Sequence, residues 1–387
     1  MYASKVLKVL YSPKKTLKEV VQDPKYIGPL LVMFLLIVAN VASTFALVSK
    51  ESYEQILPNG TALDVWTENS TFWTASNQTI ITESSDAING SIYGNASIAF
   101  SILNSSQVWM QLIGIGTVDA SVPNGFNLLS FRIKQVSPVT PPENVTIQMF
   151  SFNSSSRYFY DDLTSTFSNG TYNIWNNLTI PIGPSASWQS TGPNPDWGNI
   201  TDLQLQFTWA SNSNVTLLVD GLFFRGPYKS LLETEGTAYV LSYGVSSAFQ
   251  FAITWILLTG LVYILVRAFK SKIKWKPMLI AVGFILIIMF VQTLVNALAY
   301  LTWPVGQIPF ELLGGVGGEG DAALKTLTDQ RWLGSQITMY AGILAAASIT
   351  ALVAVAVRLL AEFSWVKSAM VGILAYIITL ILASYIA

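Results

Sequence analysis

Five stretches of the chain are apolar at nearly every position, and a long segment between the first two alternates apolar and polar residues. The apolar stretches fall near 27–48, 240–266, 278–302, 334–357 and 366–386. Each supplies the ~20 residues a helix needs to cross a bilayer core of about 30 Å. The first reads IGPLLVMFLLIVANVASTFALV, without a charge, and in lipid only a continuous helix gives its backbone amides partners. A cleaved signal peptide is the rival reading there, because small residues stand at Ser43, Ala46 and Ser49. A charged lead of residues 1–26 and a run longer than the ~7–15 residues of a signal core favour a retained span.

Within residues 90–225 the period is two, as half-buried strands require. Leu203, Leu205, Phe207 and Trp209 alternate with Gln204, Gln206 and Thr208; Leu129, Phe131 and Ile133 alternate with Ser130, Arg132 and Lys134. Val145, Ile147 and Met149 repeat the pattern, and further candidate strands are 91–103, 107–116, 156–163, 171–182 and 214–224, set apart by turn residues. About eight such strands predict an all-β sandwich, a jelly roll, inserted as a domain of residues 50–236 between spans one and two.

Charge orients this arrangement. Residues 50–236 carry 15 acids and 6 bases, while the remainder carries 15 bases and 7 acids. Short loops rich in lysine and arginine stay cytoplasmic. Lys5, Lys8, Lys14, Lys15, Lys18 and Lys25 precede the first span; Arg267, Lys270, Lys272, Lys274 and Lys276 follow the second; Arg358 and Lys367 follow the fourth. Loop 303–333 carries Glu311, Glu319, Asp321 and Asp329 against Lys325 and Arg331, so the reading is N-terminus in, C-terminus out, with this loop and the large domain outside. Twelve Asn-x-Ser/Thr sequons agree, because glycans are added only on the outer or lumenal face. They are Asn59, Asn69, Asn77, Asn89, Asn95, Asn104, Asn144, Asn153, Asn169, Asn177, Asn199 and Asn214, all in that domain. Cysteine and histidine are absent, which excludes disulfides, thiol catalysis, Cys/His zinc sites and histidine-based triads or proton shuttles. A glycosylated domain without cysteine fits an archaeal cell surface better than a disulfide-forming lumen.

The run from TYNIWNNLTIPIG through WQSTGPNPDWGNITDLQLQF to NVTLLVDGLFFRG resembles the C-terminal half of carbohydrate-binding-module and galactose-binding-like jelly rolls. Its marks are a tryptophan before a turn, Pro195-Asp196-Trp197 before an Ile-led strand, and a closing strand ending at Asp220 to Phe224. Sugar binding needs an exposed aromatic face with polar groups beside it. Trp175, Trp188 and Trp197 are the candidates, with packing of the sandwich core as the alternative for each. Asp196 and Asp220 are weak candidates for calcium, with turn and strand-end roles as the alternative.

Before the first span, Val6, Leu7, Leu10, Leu17, Val20 and Val21 alternate with lysines, which predicts amphipathic helices on the cytoplasmic surface broken at Pro13 and Pro24. Lysines there meet anionic head groups. The segment LYSPKKTLKEVVQDPKYIGPLLVMFLLIV resembles the opening of prokaryotic members of the Yip domain family, the Ypt/Rab-interacting membrane proteins. Ser12-Pro13-Lys14, Pro24 and Gly28-Pro29-Leu30 carry the likeness, and the run ending ALAYLTWP at Pro304 is similar to the family's third span. Five spans with the N-terminus inside also fit. Two departures are the inserted domain, where the family has a short loop, and the missing Tyr-Gly-Pro motif of eukaryotic members, so GTPase binding is not carried over.

The middles of the spans hold no ionisable residue, the usual mark of an ion or proton path. Asn40, Gln250, Gln292, Asn296 and Gln336 are expected to bond between helices, with small residues such as Ala345 to Ala347 allowing close approach and a polar conduit as the alternative. The glycine-rich run from Gly314 to Lys325 fails as a phosphate loop, because Asp321 follows Gly320 where Lys-Ser/Thr is required, and is expected to be a flexible external hairpin. Paired carboxylates are the one enzymatic route left, among Glu143, Asp161, Asp162 and Asp196, and no spacing singles out a pair. The expectation is a non-enzymatic Yip-like membrane protein, without cofactor, displaying a jelly roll that binds glycans or a surface protein and organises the membrane. A transport, trafficking or membrane-shaping component is the alternative and a glycan-active enzyme the third reading. Lipid is the certain partner, self-association is open, and no nucleic-acid patch exists.

Overall fold

The computed structural model describes residues 2–59, 64–121, 124–168 and 172–385. Along the chain come helices α1 (Tyr2–Tyr11), α2 (Pro13–Gln22) and α3 (Ile27–Val48), then strand β1 (Glu51–Leu57) and the one-turn helix α4 (Val65–Glu68). Strands β2 (Trp73–Ala75), β3 (Ile80–Ser84), β4 (Ser97–Leu112), β5 (Leu128–Ser137), β6 (Asn144–Ser151) and β7 (Tyr158–Asp162) follow. After α5 (Thr164–Ser168) come β8 (Asn176–Pro181), β9 (Gln189–Thr191) and β10 (Ile200–Ser230). The remainder is α6 (Leu231–Thr234), α7 (Gly236–Ala268), α8 (Trp275–Ile285), α9 (Ile287–Leu301), β11 (Gly306–Ile308), α10 (Phe310–Gly314), α11 (Asp321–Ala361) and α12 (Trp365–Ala383). The chain divides into a helical unit, Met1–Ser52, Ser230–Gly306 and Leu327–Ala387, and a β unit, Tyr53–Lys229 with Gln307–Thr326.

Among the described residues of the helical unit five helices are long and apolar enough to cross a membrane: α3, α7, the pair α8 and α9, α11 and α12. The third is divided at Leu286, whose ψ of 0° leaves the helical range. Gly28 and Pro29 interlock with Gly283 and Phe284. A Cβ on Gly28 would lie 1.9 Å from the Phe284 ring, and one on Gly283 would lie 2.6 Å from Pro29. Only glycine permits either approach. The leader forms two short helices, the second opening on Pro13, where a missing N–H costs nothing. Val6, Val9, Leu17 and Val20 are buried in one core with Val262, Val266 and Met278, so the leader packs on its own helices as well as presenting lysines.

In the β unit, 11 strands among the described residues form one hydrogen-bonded network folded into two layers. The fold lies in β4 and β10, which pair antiparallel on both sides of a bend: Leu203 to Thr208 face Leu112 to Gln107, and Val215 to Val219 face Ile102 to Ile98. Two pairs of strands expected separately are therefore single strands. Ser213 still pairs with Ser105 across the bend, and Asn104 takes a φ of 49°, a conformation Asn tolerates better than most. The first layer runs β9-β7-β6-β10-β4-β2 and the second β8-β5-β10-β4-β3. Inward residues keep the parity read from the sequence, with Leu203, Leu205 and Phe207 meeting Leu129, Phe131 and Ile133 and also Val145, Ile147 and Met149 in one core.

At Asp220 that parity reverses. The register to β5 slips between Asp220 and Phe223, and Gly221 has a φ of 54°. This bulge inserts a residue and turns alternate side chains to the opposite face. Leu222 and Phe224 now point to the main core, while Phe223 points outward and joins Ile92, Tyr93 and Phe310 in a small second core.

Phe310 opens α10, which leads into the run Gly314 to Lys325 expected as a flexible hairpin. That run is anchored instead: Gly315 takes the left-handed conformation after α10, and charge holds the segment 307–326 on the second layer. Arg225 donates from Nε and Nη2 to the two oxygens of the buried Glu54 at 2.7 and 2.9 Å, and from Nη1 to Glu311 at 2.8 Å. Its guanidinium lies 4.7 Å from the Phe310 ring centroid, and the Phe310 amide donates to Glu54 at 2.7 Å. Arg132 donates to Glu319 at 2.6 Å and to the Tyr93 hydroxyl at 3.2 Å. Two buried arginines thus need carboxylates, and segment 307–326 supplies two of them.

Candidate functional site

The outer face of the first layer carries an unbroken row of polar side chains. Cross-strand register aligns Thr74 with Gln111, Gln111 with Gln204, Gln204 with Gln148, Gln148 with Tyr160 and Tyr160 with Gln189. Six strands at about 4.8 Å spacing make this row about 24 Å long. On one side lie Trp109, Gln206, Thr146 and Asp162; on the other, Asp202, Phe150, Tyr158 and Thr191. The Tyr158 ring centroid is 5.4 Å from Phe150 and 6.2 Å from Tyr160, and the Tyr160 hydroxyl donates to Gln189. Gln111, Gln148, Gln204 and Gln206 are half-buried, and their side-chain amides have no hydrogen-bond partner among the described residues. An amide offers two donors and an acceptor, the inventory that pairs with hydroxyls.

The three tryptophans singled out from the sequence lie elsewhere. Trp197 is 8% exposed, stacked on Phe159 at 3.9 Å and met edge-on by Trp188 at 5.6 Å, so its ring faces are occupied. Trp188 is half-buried and donates to the Pro181 carbonyl at 2.8 Å. Trp175 is half-buried at the edge of the second layer, donating to Asp86 at 3.3 Å, with Lys134 6.0 Å from its ring centroid and also paired to Asp86 at 2.7 Å. The structure brings Trp188 and Trp197 together and leaves Trp175 apart. Asp161 and Asp162 end β7, Glu143 precedes β6, and Asp196 caps the turn at Trp197 by accepting from Gly198 at 2.9 Å.

Asp220 sits in a different cluster from Asp196. Oxygens of Asp64, Glu68 and Asp220 all lie within 4.8 Å of one another. Asp220, fully buried, accepts from the Ile88 amide at 2.6 Å and the Gly221 amide at 2.7 Å; Asp64 accepts from Gly94 at 2.8 Å, and Glu68 from Asn95 and Ala96 at 3.1 and 3.0 Å. Burial pushes Asp220 up to about 7, with the charges of Asp64 and Glu68 adding to the shift and the Ile88 and Gly221 amides opposing it. Burial likewise pushes Asp64 to about 6, opposed by the Gly94 amide and reinforced by Glu68. Three carboxylates this close form an oxygen-only donor set of the kind hard divalent cations take, with backbone amides already using some of the lone pairs. A Cβ on Gly94 would fall 2.0 Å from the Glu68 carboxyl carbon, so this glycine keeps the cluster closed. The sequence signal for Asp64 and Glu68 was only their spacing across one helical turn.

Eleven of the twelve sequons fall on described residues, and none of those asparagines is buried. Asn69 and Asn199 are half-buried, the other nine are exposed, and Asn169 lies outside the described residues. Of those in the strands of the first layer, Asn144 stands at the very start of β6 and Asn104 and Asn214 at the bend of β4 and β10.

Fold and site together define a multi-pass membrane protein that carries an antiparallel β-sandwich ahead of its last four spans. The Yip1 domain family matches residues 184–386, and the chain belongs to it. The match covers the last part of the sandwich and the four later spans; Gly28-Pro29-Leu30 lies before it. No curated protein matches. Among solved structures, the family 11 carbohydrate-binding module from Clostridium thermocellum in complex with a β-1,3-1,4-mixed-linked tetrasaccharide is 14% identical, covering 44% of this chain and 94% of that one at a TM-score of 0.27. The family 30 module of the C. thermocellum cellulosomal cellulase is 13% identical, covering 41% and 90% at 0.28. A β-1,2-glucanase from Parabacteroides distasonis is 12% identical, covering 42% and 24% at 0.28.

Proposed function

We propose that this Yip1-family protein is a non-enzymatic glycan-binding protein of the cell surface, which holds its sandwich on the non-cytoplasmic side and reads a neutral glycan along the row from Gln111 to Gln189. The observation that carries the reading is that row: the unpartnered amides of Gln111, Gln204 and Gln148 aligned over adjacent strands, with Gln206 unpartnered in the row beside it, next to Tyr158, Tyr160 and Trp109. Hydroxyl-rich chains need such donors and acceptors together with apolar ring faces. Sequons that stay out of the row leave it accessible, and their exposure supports the outer placement already favoured by the lysine-rich inner loops. The sandwich is glycosylated at these exposed asparagines, on a cell surface of archaeal type.

The test is an array of neutral glycans probed with the full chain in detergent micelles. The whole chain is required, because a fragment ending at residue 236 would strip Glu311 and Glu319 from Arg225 and Arg132. Saturable binding that Tyr160→Ala weakens roughly ten-fold and Trp175→Ala leaves intact supports the reading. No binding to any glycan, or binding lost only through Trp175, sinks it.

A further inference from the structure

Between α9 and α11 the helical unit holds a cavity of about 580 Å3. Its wall is aliphatic except for Gln292, Gln336, Tyr340 and Ser348, and it contains no acidic or basic side chain. From Leu333 to Ser348 the lining runs about 22 Å along α11, most of the depth of a bilayer core. The mouth opens sideways, past the exposed Leu333, Tyr340 and Leu344. Sequence led to the expectation that Gln292 and Gln336 would bond between helices. Neither side chain has a hydrogen-bond partner among the described residues, and the buried Oδ1 of Asn296, one turn beyond Gln292, has none either.

Gln292 lies in the middle of its span, where it has no water to turn to, so its unpaired amide asks for a partner that lives in the bilayer, while Gln336 stands near one end of the span 334–357. Gln292 lies level with Gly342, where a Cβ would be 3.6 Å from its Nε2. That places the two amides about 9 Å apart along α11, a gap that two extended glutamine side chains close. We infer that this cavity is a binding site for a membrane lipid, with one hydrocarbon chain against the aliphatic wall and an uncharged oxygen-bearing linkage accepting hydrogen bonds from Gln292 and Gln336. A charged head group or a dissolved ion is excluded by the neutral lining, and the sideways mouth admits ligands from the hydrocarbon phase.

The experiment uses the full chain in phosphatidylcholine vesicles doped with a phosphatidylcholine whose acyl chain carries a diazirine. After illumination, peptide mapping is expected to find labels on 333–348 and 288–295 in excess over Phe249, Ile256 and Ile264, which are equally exposed on α7. Gln292→Leu and Gln336→Leu each remove a bond worth about 1 kcal/mol in a bilayer, and each lowers labelling of the cavity roughly five-fold while leaving α7 unchanged. Even labelling of all exposed faces, the pattern of annular lipid, overturns the proposal. So does a Leu344→Cys disulfide joining two copies while the cavity stays unlabelled, which makes this wall a subunit interface. The wild-type label map decides between these outcomes even where a variant fails to fold.

Discussion

The two outer faces of the sandwich are built from the same strands and treated in opposite ways. Beyond the bend, β10 presents Asp220, Phe223 and Arg225, and the chain closes over them with loop 86–96 and segment 307–326. Before the bend it presents Asp202, Gln204 and Gln206, and no side chain among the described residues pairs with either glutamine. Charged groups cannot be buried without partners, so the closed face is fixed by its own ion pairs and is a matter of stability. Uncharged amides at a half-buried sheet surface cost little when unpaired, so the open face can wait for a ligand. Substitutions on the first face should change folding, and substitutions on the second should change binding.

The largest expected effect is on the closed face. Arg225→Ala leaves Glu54, 4% exposed at its side chain, without its bidentate partner. Breaking a buried pair from one side costs about 3–5 kcal/mol. For a unit of this size that lowers the thermal midpoint by roughly 10 °C, followed by tryptophan fluorescence of the intact chain in micelles. Gln204→Ala, on the open face, moves it by less than about 0.5 kcal/mol. Equal shifts in the two variants would erase the distinction.

The acidic cluster gives the next effect, and its sign follows from the direction of the shifts. Folding raises Asp220 to about 7 and Asp64 to about 6 from 3.8, so the folded state holds protons more tightly than the unfolded one. Their contribution is complete below about pH 4 and is lost as pH rises through 6 and 7, at up to about 1.4 kcal/mol per pH unit for each group. In chelator the thermal midpoint is therefore expected to fall between pH 4 and pH 7.5, less steeply in Asp220→Asn. Calcium at 100 times its dissociation constant adds about 2.7 kcal/mol, and it does so at pH 7.5 more than at pH 5, where protons compete. A flat profile in chelator would mean that the cluster keeps its charge by some other means.

Binding effects on the open face are smaller in energy and sharper in specificity. Tyr160→Ala removes a ring and a hydroxyl from the row, and a loss of about 1–2 kcal/mol weakens glycan binding roughly ten-fold, read as a dissociation constant on the intact chain. Gln204→Ala removes one hydrogen-bonding amide, about 1 kcal/mol, and weakens it roughly five-fold. Neither variant should shift the unfolding midpoint beyond the scatter of surface substitutions. Weakening of the same size by Arg225→Ala at a temperature where it remains folded would place the ligand on the wrong face.

How far this could be read from the chain differs between the faces in the same way. Alternation around Leu203 to Trp209 and Leu129 to Ile133 gave the inward residues, because a buried face imposes period two on sequence. The outward residues were visible too, as Gln204 and Gln206, but their meaning depends on Gln111 and Gln148 arriving beside them from strands far away in sequence. Register is a long-range property, and no local pattern announces it. The tryptophans drew notice because aromatic residues are conspicuous, yet Trp197 is needed under Phe159 and Trp188. The glycine-rich run Gly314 to Lys325 read as flexible because glycines dominate it, whereas it is held by Glu319 within it and by Phe310 and Glu311 just before it, whose partners Arg132 and Arg225 stand in strands of the sandwich. In the spans the apolar runs were unmistakable, and the interlock of Gly28 with Phe284 gave a physical use to a motif seen first only as a likeness.

The smallest effect separates the faces by their response to salt. Every member of the row from Thr74 to Gln189 is uncharged, and the nearest acids, Asp162 and Asp202, lie in the rows beside it. Raising the salt concentration from about 0.01 to 0.15 M shortens the screening length from about 30 to 8 Å, which weakens contacts between exposed charges and leaves neutral hydrogen bonds almost untouched. The affinity for a neutral glycan is therefore expected to change by less than about two-fold over that range, measured by titration at constant pH. A ten-fold loss would mean that an ionic group of the ligand meets a charged side chain. The open face supplies only acids in its rows, so the cationic partner of such a ligand would have to be sought at Lys134 beside Trp175, and the row of glutamines would lose its claim to be the site.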